Sequence, residues 1–364
     1  MVKVFDIAVF EGDGIGPEIT APVVDMLAAI ANHGTEYSLS FTNAAAGARH
    51  YARTGHALPE ESLDIARNAD AILLSAMGDP AIRYEDGTEI APQIDLRIEL
   101  DLYAGVRPVR IVPGQPTPLA LPAGQAVDFV LVRESTEGLF HSKGIGEVTE
   151  DEARETMLIT RKTSEKLFRF AFNLAEQRKK ADAGPGRVTC IDKANVFRAF
   201  AFFRSVFDEQ ALHFPDIAAD HAYVDAAALW MVQKPWMFDV MVTENMFGDI
   251  LSDLGAGLMG GLGMAPSADI GDDHAVFQPC HGSAPDIAGK GIANPFAMIL
   301  SAAMMLDWLA EKHQVPAMAR DGQILRNAVY EVVSQSRWTT KDIGGNASTI
   351  EASNAVTDAL TVAS

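Results

Sequence analysis

Three arginines occupy places where an anion site is easily built. Arg97 lies on a helical stretch within "DLRIELDLYAGVRPVR" (95–110), Arg107 starts the strand that follows, and Arg133 ends the apolar run "DFVLVRE" (128–134). Arginines at helix and strand ends around a shared cleft can clamp carboxylates through paired N–H groups. The alternative for each is a surface ion pair. The carboxyl ends of strands are where α/β proteins place ligands, which favours the clamp. A second group is acidic. In "TENMFGDILSDLGAG" (243–257), Asp249 and Asp253 lie four residues apart on one helix face. Like charges at that spacing repel, and Mg2+ or Mn2+ between them is a natural compensation, with Asp225 of "AYVDAAAL" a third ligand from another helix. A solvated helix surface is the default meaning of this spacing, but the apolar surroundings sit poorly with it.

Lys193, in "CIDKANVF" (190–197), directly follows a buried strand and is a candidate proton carrier. The segment "HGSAPDIAGKGIANP" (281–295) has the make-up of a built loop, with His281, Asp286 and Asn294 as polar handles. Asp286 could accept from a ribose diol, and its charge would repel a 2′-phosphate. Near the start, "EGDGIGPE" (11–18) invites a dinucleotide reading, but Gly12, Gly14 and Gly16 fall one residue short of G-x-G-x-x-G. It reads instead as a strand-to-helix corner whose glycines permit close approach.

Elements must carry these residues to one place. Strand-like runs occur at 2–10, 71–77, 128–134, 187–192 and 238–244. Helical spacing covers 17–33 and stretches around 151–178, 196–210, 225–233 and 297–312. Pro17 suits a first helical turn, where its missing N–H costs nothing. Alternating apolar strands and helices imply an α/β protein with a largely parallel sheet. A length of 364 residues implies two lobes. The Pro/Gly-rich 112–125 is an irregular connection, and no linker separates the lobes, so the chain is expected to cross between them more than once.

The bulk properties narrow the function. A formal charge of −20 leaves no basic surplus to neutralise nucleic-acid phosphates, and no apolar run is long enough to span a bilayer. Cys190 and Cys280 form no spaced pair and read as buried thiols in a reducing cytoplasm.

Taken together, "EGDGIGPE", "LDLYAGVRP", "RESTEG", "DKANV", "ENMFGDILSDLGAGL" and "HGSAPDIAGKGIANP" closely resemble the β-decarboxylating dehydrogenases, which include isopropylmalate, isocitrate, homoisocitrate, tartrate and D-malate dehydrogenases. The resemblance implies an isopropylmalate/isocitrate dehydrogenase-like two-domain fold that is not a Rossmann fold. Residues 1–104 plus 262–364 would form a large, cofactor-binding domain, and 105–261 a small domain for dimerisation and for metal and substrate. It implies a homodimer with shared active sites. Arg97, Arg107 and Arg133 would bind the carboxylates of a small dicarboxylate, and Asp249 and Asp253, with Asp225 from the partner, would hold Mg2+ or Mn2+. Lys193, also from the partner, would move the hydroxyl proton. His281, Gly282, Ser283, Ala284, Asp286, Ile287 and Asn294 would hold the cofactor, which Asp286 marks as NAD, and K+ is admitted as a further cation.

Two positions depart from the family pattern. Phe140, in "TEGLFHSKG", replaces the tyrosine assigned to protonating the enol. Decarboxylation is therefore expected to be slow, to use water or Lys193, or not to be the physiological outcome. Second, "GTEIAPQIDLR" (87–97) offers Gln93 and Ile94 where the family reads the C3 substituent. Gln93 disfavours a purely hydrocarbon pocket, and a missing serine disfavours isocitrate. The expectation is therefore NAD- and metal-dependent oxidation of a tartrate- or D-malate-like acid. 3-Isopropylmalate stands second, then isocitrate or homoisocitrate, and a non-catalytic binding subunit is the alternative of another class.

Overall fold

The apolar runs join in a single sheet, as the alternating pattern and the missing linker imply. A computed structural model describes residues 2–33 and 36–363. Its strands are β1 (Lys3–Gly12), β2 (Tyr37–Asn43), β3 (Ala71–Ala76), β4 (Ala104–Arg110), β5 (Asp128–Glu134), the short pair β6 (Glu147–Val148) and β7 (Ala153–Arg154), β8 (Arg187–Asp192), β9 (Ala218–Tyr223), β10 (Val240–Thr243), β11 (Pro266–Ile270) and β12 (Ala275–Pro279). The helices are α1 (Gly16–His33), α2 (Ala48–Thr54), α3 (Glu60–Asn68), α4 (Pro92–Glu99), α5 (Arg161–Lys180), α6 (Arg198–Ala211), α7 (Val224–Gln233), α8 (Asn245–Leu258), α9 (Phe296–His313), α10 (Pro316–Gln335) and α11 (Thr349–Ala363).

The ten-stranded sheet runs β2-β1-β3-β12-β11-β4-β5-β10-β8-β9. Strands from both ends of the chain fill one half, and strands from its middle fill the other, so the chain crosses the sheet twice. The outer pairings are parallel, while β12–β11, β11–β4 and β4–β5 at the centre are antiparallel. The apolar strands β3 and β10 are buried along their whole length, as sheets covered on both faces require. Helix α9 packs on β3, β11 and β12 and is buried almost throughout, whereas α5 packs on β5, β8 and β10.

One helix starts later than its periodicity suggests. The stretch read as helical from 151 is a β6–β7 turn and an extended segment, and α5 begins at Arg161. Thr160 caps it by accepting from the N–H of Thr163, and Glu137 fixes the cap by accepting from the N–H of Thr160 at 2.8 Å and the Thr163 hydroxyl at 2.7 Å. A tertiary contact thus sets the helix start.

Candidate active site

The three arginines meet. Arg97 on α4, Arg107 within β4 and Arg133 at the end of β5 line one cleft of about 320 Å3, together with Gln93, Ile94, Phe140, Asp249, Asp253, His281 and Gly282. The sheet places them there because β4 and β5 are neighbours in register, with Gly105 opposite Arg133. All three guanidiniums are buried, at 5–8% exposure, so none is a surface ion-pair partner.

Buried positive charge needs a counter-charge, and part of it comes from Asp269 on β11. This carboxylate is fully buried and accepts from Arg97 Nε at 3.0 Å, Arg107 Nη2 at 3.4 Å, Gln278 Nε2 at 2.7 Å and Ser135 Oγ at 3.2 Å. Burial would raise its pKa, but the guanidiniums of Arg97, Arg107 and Arg133 outweigh that and hold it below the carboxylate range. Arg133 moves the other way. Burial, reinforced by the like charge of Arg97, brings it down to about 10. The Nε atoms of Arg107 and Arg133 are buried without a partner. Unpaired donors and crowded positive charge together suit an anion bearing carboxylates.

Helix α8 contributes the acidic wall. Glu244 caps it by accepting from the N–H groups of Met246 and Phe247, and Asp249, Ser252 and Asp253 from the turns that follow line the cleft. Asp249 pairs with Arg133, and Asp253 follows one turn later. Partial burial, and then the charge of Asp249, raise the pKa of Asp253. This repulsion between hard oxygens suits a divalent cation. Among the described residues, however, no three carboxylate, imidazole or thiol groups converge as a metal site. Asp225, at the start of α7, instead accepts from Lys193 at 2.5 Å, and neither lines the cleft. Lys193 is held in place from below: Asp192 receives Arg204 through two bonds of 2.7 Å and accepts from Ala194 N–H.

The 281–295 loop closes another side. His281 and Gly282 line the cleft, while Asp286 is exposed farther along. Burial lowers the pKa of His281, whose Nε2 is buried without a partner. Asn294 accepts from Phe296 N–H and donates to Asp342, tying the loop to the start of α9. The corner at 11–18 packs on this loop. Ile15 N–H donates to the Ser283 carbonyl at 2.8 Å, and a Cβ on Gly14, whose φ is +59°, would lie 1.8 Å from that oxygen. Its carboxylates, unassigned by sequence, have structural work. Asp13 accepts from Ala48, Arg49 and Gly78 N–H, and Glu18 accepts from Gly289 N–H.

Sequence reasoning missed Asp269, Gln278 and Ser135. Pro266 and the polar residues of "PSADI" hide β11, "AVFQP" is short, and the pairing of β11 with arginine-bearing β4 that gives Asp269 its role has no local sequence signal.

Residues 6–360 match the family model described as isocitrate/isopropylmalate dehydrogenase. The chain belongs to that family. As an isocitrate/isopropylmalate dehydrogenase family member it is an oxidoreductase, a dehydrogenase acting on a hydroxyl group. It is 44% identical over 347 residues to the 3-isopropylmalate/3-methylmalate dehydrogenase of Methanocaldococcus jannaschii, covering 95% of this chain and 96% of that one. It is 38% identical over 352 residues to the 3-isopropylmalate dehydrogenase of Aquifex aeolicus, covering 94% and 92%. Its fold is similar to that of the isocitrate dehydrogenase of Methylococcus capsulatus, with a TM-score of 0.85 and 36% identity over 98% of this chain and 99% of that one. The family fold expected from the resemblance is the one found. No helix among the described residues is long and apolar enough to cross a membrane.

Proposed function

We propose that this family member oxidises a 3-alkylmalate, 3-isopropylmalate first among them, with NAD as hydride acceptor and Mg2+ or Mn2+ bound at the cleft. One observation carries the proposal: three buried arginines converge beside the apolar side chains of Ile94, Met77 and Phe140. Two carboxylates on the arginines would direct the C3 substituent of a malate toward such a wall. The names of the relatives favour the same substrate, which reverses the ranking drawn from the 87–97 loop. Tartrate is the second reading, because Gln93 Oε1 is buried without a partner and could accept from a C3 hydroxyl; D-malate, with only hydrogens at C3, stands behind it.

The residues fit both bound groups. Asp249 and Asp253 supply hard oxygens on one helix face, and Asp225 of the partner subunit would complete the set. The unpartnered His281 Nε2 and the exposed Asp286 suit a nucleotide without a 2′-phosphate. When bound, the cation would lower the pKa of the substrate hydroxyl and polarise the developing carbonyl, and NAD would accept the hydride. Arg97, Arg107 and Arg133 would fix the carboxylates, and Lys193 of the partner subunit would receive the hydroxyl proton. Phe140 offers no proton to an enol. The shared site implies a homodimer, and exposed Val196, Phe197, Leu229 and Ile250 beside Lys193, Asp225 and Asp249 are apolar enough to form its interface. The arginine-bearing strands and α7–α8 would belong to a small domain of residues 105–261, and both chain ends to a large one.

The test is NADH formation with Mn2+ across 3-isopropylmalate, 3-methylmalate, D-malate, tartrate and isocitrate, with CO2 assayed in parallel. The highest kcat/KM is expected for a 3-alkylmalate. A preference for tartrate would favour the second reading, and no turnover of any of the five would sink the proposal.

A further inference from the structure

We propose that Asp269 tunes the arginine cleft to dianions, making it a positioning residue that selects dicarboxylates over tricarboxylates. The inference rests on the reading that Arg97, Arg107 and Arg133 hold the substrate carboxylates. Asp269 does not line the cleft; it lies behind it on β11, fully buried, and touches Arg97, Arg107, Ser135 and Gln278. Its bonds use Arg97 Nε and Arg107 Nη2, and leave other guanidinium N–H groups for a ligand.

The charges behind the cleft can be followed one by one. Three guanidiniums and one buried carboxylate leave two net positive charges. His281 adds none at neutral pH, since burial holds its imidazole neutral. Glu134 is occupied by the N–H groups of Thr136 and Glu137 and does not line the cleft. Asp249, Asp253 and Asp225 of the partner subunit would carry three negative charges, balanced by the proposed divalent cation and the ammonium of Lys193 of the partner subunit. Gln278, which does line the cleft, is neutral and donates to Asp269. A substrate with two carboxylates therefore neutralises the pocket. A third carboxylate would lie beside buried guanidiniums whose surplus charge is already matched, with no positive charge left to pair it, a costly arrangement. Without Asp269 the surplus would be three charges, and a trianion would match it.

The experiment compares wild type with Asp269→Asn, Gln278→Glu and the double variant, which moves the carboxylate across the 2.7 Å contact between the two side chains. Calorimetry with Mg2+ measures binding of succinate and tricarballylate, unreactive di- and tricarboxylates, and kcat/KM is measured for 3-isopropylmalate and isocitrate. Asp269→Asn should shift both ratios toward the tricarboxylate by at least about tenfold, because a buried unit charge acts at short range. Gln278→Glu should shift binding the opposite way, and the double variant should return near wild type. If both ligands weaken equally in Asp269→Asn, leaving the ratio unchanged, Asp269 is only a structural anchor and the inference is overturned. If Asp269→Asn fails to fold, Gln278→Glu decides: an unchanged succinate–tricarballylate ratio overturns the inference. Absence of malate oxidation by the wild type would count against the proposed function and is read separately from that ratio.

Discussion

Phe140 is one of the two places at which this chain leaves the family pattern, the other being the 87–97 loop. It lines the cleft, and the Arg133 guanidinium lies 5.9 Å from its ring, so the side chain sits where substrate would be. Neighbouring His141 is exposed and does not line the cleft, so it offers no substitute for a phenol there. A ring without a hydroxyl can pack against an alkyl group but cannot protonate an enol. Phe140→Tyr is therefore expected to raise the ratio of CO2 to NADH, with the decarboxylation rate rising about tenfold or more, as general acids ordinarily provide. Equal CO2 and NADH at an undiminished rate in the wild type would show that the phenol is not needed. The arginine and aspartate candidates were visible as residue types at strand and helix ends. Asp269 was not, because what makes it matter is three-dimensional proximity to residues 172 and 162 positions away.

At the scale of elements, α8 does most of the positioning. It presents Asp249 and Asp253 while its backbone lies against Arg133. Gly248 makes that approach possible: a Cβ there would lie 2.6 Å from Arg133 Cγ and 2.7 Å from its Cβ. Gly248→Ala would gain about 1 kcal/mol of helix propensity. The clash should outweigh it, costing about 1–3 kcal/mol net of stability by displacing a buried side chain. The expected result is a lower denaturant midpoint together with a raised KM for the dicarboxylate; a more stable and fully active variant would mean that helix and strand can separate freely. The helix itself was legible from its spacing. The late start of α5 was not, since the Thr160 cap depends on Glu137 from a distant segment.

For the whole molecule, the open question is how Lys193 and Asp225 reach a cleft they do not line. If each site borrows them from a neighbour, two inactive variants should complement each other. Arg133→Ala damages a subunit's own cleft, and Lys193→Ala damages what it lends. Co-refolded in equal amounts, they should recover about a quarter of wild-type activity, because half the dimers are mixed and each mixed dimer has one intact site. Activity no higher than that of the separate variants would rule out sharing.

The sequence by itself determined the family, the alternating α/β pattern, the arginine and aspartate candidates and the loop at 281–295, because each is written in short-range spacing or local motifs. It also determined that "EGDGIGPE" is no dinucleotide fingerprint. Only the tertiary structure decided what Asp13 and Asp269 do, which arginines are buried together, and where α5 starts. Those outcomes depend on contacts between segments far apart in the chain, and on the loss of solvent that gives a buried charge its energetic weight.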